Sequence, residues 1–493
     1  MSVIAQLKAY SAELTNLHHI LSLMQWDQEV RLPSRAVAGR AEQFATLTAI
    51  VHQKEVAPAL GELLRAAAQQ EGLSEAERGL VRVMRRAYDQ SVKLPESFVT
   101  DFSRLTAQAL DVWVRARQQK DYAQFAPSLV RVVEMSRQKA EYLGYDAHPY
   151  DALLDLHEEG LRTAEVEKMF AAVAAPLQEL AARARAISQP CLNIRVPFAE
   201  VEQIRFSETI LRQIGFDFTR GCLARSAHPF STTLGHHDRR VTNRYNDQGL
   251  EFIFGALHEG GHALYEQGID EALAFSHLDS GVSLGIHESQ SRLWENIIGR
   301  SRPCWQFLYP RLQERFPAQL GELAPEVFYQ IINRVEPGLI RVDADEVTYN
   351  LHVIIRFELE KALLTGELAV ADLPAAWNDR YHSYLGITVP DDASGVLQDI
   401  HWAHGSIGYF PTYTIGNLAA VQIWQAYAGR HPDHAARLAN GEFGKIRGWL
   451  VEQIYRHGSI YPPAELLRRV TGSRLDPQPF LEYLQGKYAW LAA

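Results

Sequence analysis

Apolar residues recur at helical spacing over most of the chain. Near the N-terminus, Leu14, Leu17, Leu21 and Met24 fall on one face of a helix. Segments with the same spacing, rich in Ala, Leu, Arg and Glu, continue to about residue 187, and the spacing returns from Cys304 onward. Proline and glycine interrupt it at short turns. The pattern therefore predicts a mainly α-helical fold.

The most specific chemical signal is the sequence HEGGH inside a strongly helical stretch. His258 and His262 are four residues apart, so a helix places both on one face, where they can bind one metal ion. Glu259 lies about 100° further round the helix, where it can take a proton from a water polarised by the metal. The stretch predicts peptide-bond hydrolysis with Glu259 as the catalytic base.

The ends and the interior of this helix also carry predictions. Asp247 is the expected N-cap, and Gly268 is the expected C-terminal stop. Gly260 and Gly261 each weaken a helix by roughly 1 kcal/mol relative to alanine. We therefore expect a substrate strand or a neighbouring helix to approach the backbone closely at these glycines.

A hydrolytic zinc site needs a third protein ligand and one open position. Apolar spacing predicts a second helix over residues 283–300, returning antiparallel to the first. Glu288 on that helix is our choice for the third ligand. His287 and Glu295 are the alternatives.

Helical spacing weakens between residues 188 and 249, and the sequence there favours a small sheet. β-branched and alternating residues from His236 to Tyr245 predict a short strand or a hairpin, one wall of a cleft that can hydrogen-bond an extended peptide. His228, His236 and His237 could add metal ligands. For His236 and His237 the favoured interpretation is that of ordinary loop histidines.

Composition narrows the class of protein. The chain has 493 residues and 47% apolar content, enough for a large core. We expect a single catalytic unit over 1–493, with a helical N-terminal lobe or lid over about 1–200 and a metal- and substrate-binding lobe over about 201–493. The net charge of −10 and the absence of a basic block argue against nucleic-acid binding.

Location is also constrained by the sequence. No run of 18 apolar residues is present, so no membrane partner is expected. The three cysteines stand at long separations, which predicts neither a disulfide framework nor a cysteine metal site. Together these features suit a reducing compartment, and we expect a cytoplasmic protein.

Several motifs in one order resemble those of a known family. They are WDQEVRLPSRAVAGRAEQ from Trp26, PYDALLD from Pro149, HPF at 228–230, DRRVT at 238–242, HEGGH at 258–262, IHESQSR at 286–292, IRVDAD at 340–345 and GVLQDIHW at 395–402. The set spans nearly the whole chain and is far more specific than HExxH alone. It resembles the carboxypeptidase Taq family of zinc metallocarboxypeptidases.

The resemblance implies both an architecture and an activity. The architecture is predominantly helical, with a deep central groove, a small sheet beside the metal helix and a homodimeric assembly. The activity is stepwise removal of C-terminal residues from peptides, with broad specificity but poor action on C-terminal Pro. One zinc ion per chain is held by His258, His262 and Glu288, with Glu259 as general base, and Co²⁺ can also occupy such a site.

Two further roles follow from the chemistry of the reaction. The oxyanion that forms during hydrolysis needs a hydrogen-bond donor besides the metal. Tyr409 or Tyr413, in the aromatic stretch after residue 395, is the candidate. The alternative is that both are buried core tyrosines.

A carboxypeptidase must also hold the free α-carboxylate of its substrate. Arg341 is the first candidate because its planar fork fits a carboxylate. The helpers that we expect are His401, Arg240 and His228, while Asp238 and Asp399 orient ligands or cationic groups. The alternative for Arg341 is a local ion pair with Asp343, Asp345 or Glu346.

Two other functions compete with this interpretation. One keeps the metal but makes the enzyme an endopeptidase or a dipeptidyl-releasing enzyme on a similar scaffold. The other is a catalytically inactive helical binding protein, against which the intact set of two histidines and two glutamates argues.

Overall fold

The computed structural model describes residues 1–192 and 196–492, and these residues are mainly helical. The α-helices are α1 Val3–Val30, α2 Val37–Glu55, α3 Pro58–Ala68, α4 Glu75–Lys93, α5 Glu96–Gln119, α6 Tyr122–Leu143, α7 Pro149–Asp155, α8 Thr163–Arg185, α9 Glu200–Ile214, α10 Glu251–Gln267, α11 Leu284–Arg292, α12 Arg302–Arg315, α13 Pro317–Leu320, α14 Pro325–Ile332, α15 Tyr349–Thr365, α16 Leu373–Leu385, α17 Pro411–Arg430, α18 His434–Ala439, α19 Phe443–Gln453, α20 Pro463–Thr471 and α21 Gln478–Lys487. The predicted fold class is confirmed. Among the described helices, none combines the length and the apolar character that crossing a bilayer would require.

The chain divides into two compact units, each assembled from three separate stretches. The first unit comprises Met1–Val92, Cys191–Ile332 and Ala419–Leu475, and the second comprises Lys93–Pro190, Asn333–Leu418 and Asp476–Ala493. The lobes expected over about 1–200 and 201–493 stay a prediction, and positions 193–195 and 493 of those ranges lie outside the described residues.

In the first unit, the N-terminal helices pack around an apolar cluster. Leu14 is buried in this cluster, and Leu17 and Leu21 pack against it, so the apolar face seen in the sequence is the one that α1 turns inward. The cluster extends through buried leucines of α3 and reaches Ile269, which follows α10 directly. The N-terminal helices and the end of α10 thus share one core.

The sheet of the first unit has three strands, β1 Leu223–Arg225, β2 Ser231–Gly235 and β3 Asp238–Asn243. The central strand β3 pairs in parallel with β1 and antiparallel with β2. His236 and His237 form the turn between β2 and β3, which confirms the predicted hairpin. At the end of β3, the Asn243 side-chain amide donates to the Phe252 carbonyl at 2.7 Å. This bond ties the sheet to the start of α10.

The first of the two predicted ends of α10 is wrong and the second is confirmed. The helix begins at Glu251 after Leu250, which provides no side-chain cap. Asp247 lies further upstream, and its carbonyl accepts a 2.9 Å hydrogen bond from the Phe198 backbone instead. Gly268 ends the helix as expected, and its N–H donates to carbonyls of the last turn.

The two glycines inside α10 are explained by neighbouring helices. A Cβ on Gly260 would lie 2.7 Å from the Leu211 side chain of α9. A Cβ on Gly261 would lie 2.7 Å from the Gln290 carbonyl and from the Ser291 Cα atom of α11. At Gly261 the close atoms belong to the α11 backbone, so a Cβ there would force the two helices apart, whereas at Gly260 they are the ends of side chains of α9. Of the two alternatives, the neighbouring helix is therefore the correct one, with Gly261 facing α11 and Gly260 facing α9.

Candidate metal centre

Two helices of the first unit bring His258, His262 and Glu288 together. The histidines lie on α10, and Glu288 lies on α11, which begins at Ser283 with a side-chain cap on the Ile286 N–H. The Oε2 atom of Glu288 is 3.4 Å from Nε2 of His262 and 3.7 Å from Nε2 of His258. Ligands that bind a tetrahedral ion at 2.0–2.1 Å stand roughly 3.3 Å apart. The three donor atoms therefore have the spacing of a divalent metal site.

The other ring nitrogens of the two histidines have partners of their own. Nδ1 of His258 lies 2.9 Å from Oε2 of Glu295, and Nδ1 of His262 lies 2.5 Å from Nδ1 of His287. Glu295 and His287, the alternative ligands suggested by the sequence, thus contact the rings on the side away from Glu288. Such contacts fix the orientation and the tautomer of a metal-binding imidazole.

Charges around Glu288 and the burial of His262 favour the protonation states that metal binding needs, whereas the carboxylates beside His258 favour its protonated form. Burial raises the pKa of Glu288, but Arg292 and His258 outweigh burial and hold it well below its usual range. The Arg292 Nε donates to Oε1 of Glu288 at 2.7 Å, while Oε2 faces the histidines and accepts a hydrogen bond from the Ser291 hydroxyl at 3.1 Å. Burial lowers the pKa of His262 to about 4, which keeps this ring neutral. At His258 burial has the same effect, but Glu288 and Glu295 outweigh it and raise the pKa.

Glu259 is buried beside these groups on α10. No side chain in residues 1–192 and 196–492 donates a hydrogen bond to its carboxylate. Burial raises its pKa to about 7. A carboxyl group that gains and loses its proton near neutral pH is suited to general acid and base catalysis.

Polar residues that the sequence analysis did not single out continue the network behind His287. Oε1 of Glu266 lies 2.9 Å from Nε2 of His287, and Oε2 of Glu266 lies 3.3 Å from a guanidinium nitrogen of Arg239. Another nitrogen of Arg239 donates to Asp279 at 2.6 Å. Glu266 follows His262 by four residues, so helical spacing alone could have placed it on the same face. Arg239 and Asp279 have no comparable signal.

The polar residues predicted on and before the hairpin form a separate group. Arg240 donates to both carboxylate oxygens of Asp238 at 2.8 Å, and its guanidinium lies 4.4 Å from the centre of the Trp26 ring. His228 is exposed. Within the described residues, none of these side chains bonds to the His258, His262 and Glu288 group. Their predicted roles therefore stay predictions.

The second unit contains a buried cluster around Asp399. Oδ1 of Asp399 accepts hydrogen bonds from Nε and Nη2 of Arg341 at 3.0 and 2.8 Å, and Oδ2 accepts one from Nε of Arg356 at 2.8 Å. The phenol of Tyr349 lies 3.0 Å from Nη1 of Arg341. The ion-pair partner of Arg341 is thus Asp399, and the expected alternative of a local pair with an acidic neighbour in sequence is wrong. Arg356 and Tyr349 also belong to this cluster, although the sequence had indicated no role for either of them.

The predicted tyrosines lie in the same unit, close to His401. The Tyr413 hydroxyl is 3.2 Å from Nε2 of His401, and the Tyr409 and Tyr413 rings meet edge to face at 5.3 Å between centroids. Both tyrosines are partly exposed rather than buried. Burial, with Arg341 nearby, lowers the pKa of His401 to about 3, so this histidine is neutral at physiological pH.

The helical fold and the His-His-Glu group with an adjacent buried glutamate define a helical metallopeptidase. Comparison with known proteins gives a more specific answer. Residues 6–488 match the family described as carboxypeptidase Taq (M32) metallopeptidase. Thermostable carboxypeptidase 1 of Pyrococcus furiosus is 41% identical over 492 residues, 98% of each chain, and that of Thermus thermophilus is 40% identical over 499 residues, 98% of this chain and 97% of the relative.

Solved structures agree with the sequence relatives. The M32 carboxypeptidase from Deinococcus radiodurans has a TM-score of 0.97 at 40% identity and covers 100% of this chain and 99% of its own. Metallocarboxypeptidase 1 of Trypanosoma cruzi has a TM-score of 0.94 at 33% identity, with 99% of each chain covered. The chain belongs to the carboxypeptidase Taq (M32) family. It is a metallocarboxypeptidase, a hydrolase that releases C-terminal residues, which confirms the predicted class over its two alternatives.

Proposed function

We propose that the metal of this carboxypeptidase is zinc, one ion per chain, held by His258, His262 and Glu288. The observation that carries the proposal is the placement of Oε2 of Glu288 at 3.4 and 3.7 Å from the two Nε2 atoms. Two imidazoles and one carboxylate are a usual donor set for a hydrolytic zinc site, and cobalt fits the same set.

Within this site, Glu259 is proposed as the catalytic base. Zinc, when bound, supplies a Lewis acid that makes a water more acidic and polarises a carbonyl group. The Glu259 carboxylate takes the proton of the attacking water and later gives it to the leaving amine. Burial, which raises the pKa of Glu259 to about 7, supports both halves of this transfer near neutral pH.

The tetrahedral oxyanion is proposed to receive a hydrogen bond from Tyr409 or Tyr413. Both hydroxyls sit on partly exposed rings next to His401, as a donor to a substrate would require. Losing an oxyanion donor typically lowers kcat by on the order of 100-fold. A Tyr→Phe series tests the proposal, and kcat changes under about threefold for both variants would remove both residues from this role.

The substrate carboxylate is proposed to bind Arg341. Charge supports this role, because the buried guanidiniums of Arg341 and Arg356 share a single carboxylate, Asp399. The two arginines carry one more positive charge than Asp399 neutralises, so a substrate carboxylate would bring the cluster to neutrality. Losing the contact in Arg341→Gln should cost roughly 2–4 kcal/mol in kcat/KM. An unchanged kcat/KM in a folded variant would rule it out.

Other residues are proposed as supporting groups in substrate binding. His401, Arg240 and His228 assist in holding the peptide, while Asp399 orients Arg341 and Asp238 orients Arg240. The bidentate Asp238–Arg240 pair and the two-arginine contact of Asp399 support these orienting roles.

The broader biology is proposed from the family resemblance and from the sequence. We propose broad specificity with poor release of C-terminal Pro, a homodimeric assembly and a cytoplasmic location. Three free cysteines support a reducing compartment. Light scattering of the purified chain tests the dimer, and a monomeric mass would contradict it.

A single assay tests the central proposal. Wild-type enzyme and Glu259→Gln are incubated with one peptide that has either a free or an amidated C-terminus, and the products are followed by mass spectrometry. We expect a C-terminal ladder from the free peptide, none from the amidated one, and a kcat roughly 100- to 10,000-fold lower for Glu259→Gln. Zinc content is measured alongside. Full activity of Glu259→Gln, or activity without stoichiometric metal, would overturn the proposal.

A further inference from the structure

A second group of possible metal ligands lies on the turn of the β2–β3 hairpin. His236 and His237 face Glu271, the first residue of a short 3₁₀ turn that follows α10. The two histidines lie between the motifs HPF and DRRVT, Glu271 lies after HEGGH, and none of the three belongs to a motif. We propose that His236, His237 and Glu271 form a second, surface site for a divalent transition metal such as zinc.

The distances within this group are those of metal ligands. Nε2 of His236 is 3.3 Å from Oε2 of Glu271, and Nε2 of His237 is 3.2 Å from Oε1 of the same carboxylate. Donors of a tetrahedral zinc ion stand roughly 3.3 Å apart. An ion could therefore bind both imidazoles and the carboxylate with small rotations of two exposed side chains.

A second, independent observation is that the His236 ring is fixed in an orientation that directs Nε2 toward Glu271 and the proposed metal. The ring is buried, with 2% of its side chain exposed, and its Nδ1 lies 2.9 Å from Oδ1 of Asp279. Asp279 is fixed in turn by Arg239 at 2.6 Å. A carboxylate on one nitrogen of a histidine is the usual arrangement behind a metal ligand, because it sets the tautomer and directs the other nitrogen to the metal.

The rest of the site is open. The side chains of His237 and Glu271 are 59% and 68% exposed. An ion bound there would keep one or more water ligands and would exchange readily with solvent. Two imidazoles and one carboxylate favour zinc and similar transition metals over magnesium or calcium, which prefer oxygen ligands.

Binding at this site would connect two segments that are distant in sequence. His236 and His237 form the hairpin turn, whereas Glu271 follows the C-terminal end of α10. A metal ion would link them and stabilise the native chain relative to the unfolded one by mass action. None of the three ligands belongs to the His258, His262 and Glu288 group, so the metal content of the hairpin site can be measured separately from that of the enclosed group.

The test is a zinc titration of the full chain followed by metal analysis. Wild type, His237→Ala and Glu271→Gln are dialysed against buffers of rising free zinc and analysed for bound metal. His382→Ala is the matched control, since His382 is also exposed and is not part of either group. We expect each of the two site variants to bind one zinc ion per chain fewer than wild type at saturation, and His382→Ala to match wild type.

Zinc bound at the peptidase site does not affect the outcome, because the test uses only the difference in bound zinc between wild type and variant. Both variants change exposed side chains, and peptidase activity at limiting zinc checks that they fold. Equal zinc content in wild type and in both site variants would overturn the proposal. A loss of one ion in His382→Ala as well would also overturn it, since it would show unspecific binding to surface histidines.

Discussion

Two groups in the first unit have the same three ligand types, yet their surroundings differ. His258, His262 and Glu288 are enclosed by α10 and α11, and every ring nitrogen that does not face Glu288 has its own partner. The hairpin group is exposed at two of its three members. Ligand spacing is similar in both groups, so spacing alone does not decide function. Burial, outer partners and the neighbouring Glu259 are the features that favour the first group as the proposed peptidase site.

The surroundings also differ in charge. Around the enclosed group, Arg292 contacts both Glu288 and Glu295, and Arg239 contacts Glu266. Glu288, Glu295 and Glu266 each have a cation close by, which offsets the cost of taking their charges out of water. In the hairpin group, the Asp279 carboxylate lies behind His236, and the side chain of Glu271 is 68% exposed, so its charge stays in water. We expect substitutions in the enclosed group to have large effects and those at the hairpin to have small ones.

The largest effect is expected from removing the third ligand of the enclosed group. Glu288→Ala should lose its metal and lower kcat/KM by roughly 1000-fold or more, because the Lewis acid contributes several kcal/mol to the transition state. Glu271→Ala is the matched control and should keep kcat/KM unchanged at limiting zinc. Peptidase assays with metal analysis check both variants, and an active, metal-containing Glu288→Ala would contradict the comparison.

The same assays on a His287 variant test whether His287 binds the metal itself or only orients His262. His287→Ala should weaken zinc binding by roughly 10- to 100-fold, yet recover activity when zinc is saturating. A loss of metal as complete as that of Glu288→Ala would instead identify His287 as a ligand.

A second large effect is expected on stability and on its pH dependence. Burial raises the pKa of Glu266, but His287 and Arg239 outweigh it and lower the pKa from 4.5 to about 2. A carboxyl group whose pKa is depressed in the folded state stabilises it above the unfolded pKa and loses that contribution as the pH falls toward the folded pKa. Glu266→Gln should thus lower the free energy of unfolding by on the order of 3 kcal/mol at pH 7.

The same variant has a clear test in acid. Below a pH of about 4.5, wild type loses the contribution of Glu266, so the difference from Glu266→Gln should shrink. Urea denaturation at several pH values from 7 down to about 2.5 measures this difference, because the contribution of Glu266 is lost between its unfolded pKa of 4.5 and its folded pKa of about 2. A difference that stays constant down to the lowest pH would show that Glu266 does not act through its charge.

The sequence predicted the chemistry of the enclosed group better than its surroundings. The four-residue spacing fixed His258 and His262 on one face, and the glycines at 260 and 261 indicated a close neighbour, because both signals act within one helix. The pairing of Asp399 with Arg341 and Arg356 joins residues 43 or more positions apart. No local pattern encodes such contacts, which explains why a neighbouring acid was considered for Arg341. The predicted helix start was wrong because the chain stays non-helical from Arg244 to Leu250, so Asp247 lies too far upstream to cap α10.

The smallest effect is expected at the hairpin group. With a chelator present, Glu271→Gln should change the free energy of unfolding by less than about 1 kcal/mol, because hydrogen bonds and ion pairs between exposed side chains contribute little. With zinc at about ten times the dissociation constant of the hairpin site, wild type should gain about 1.4 kcal/mol more than Glu271→Gln by mass action, since both chains also bind zinc at the enclosed group. Urea denaturation with and without zinc measures both values. A variant that gains as much from zinc as wild type would show that the hairpin histidines resemble the enclosed ligands in spacing but not in metal binding.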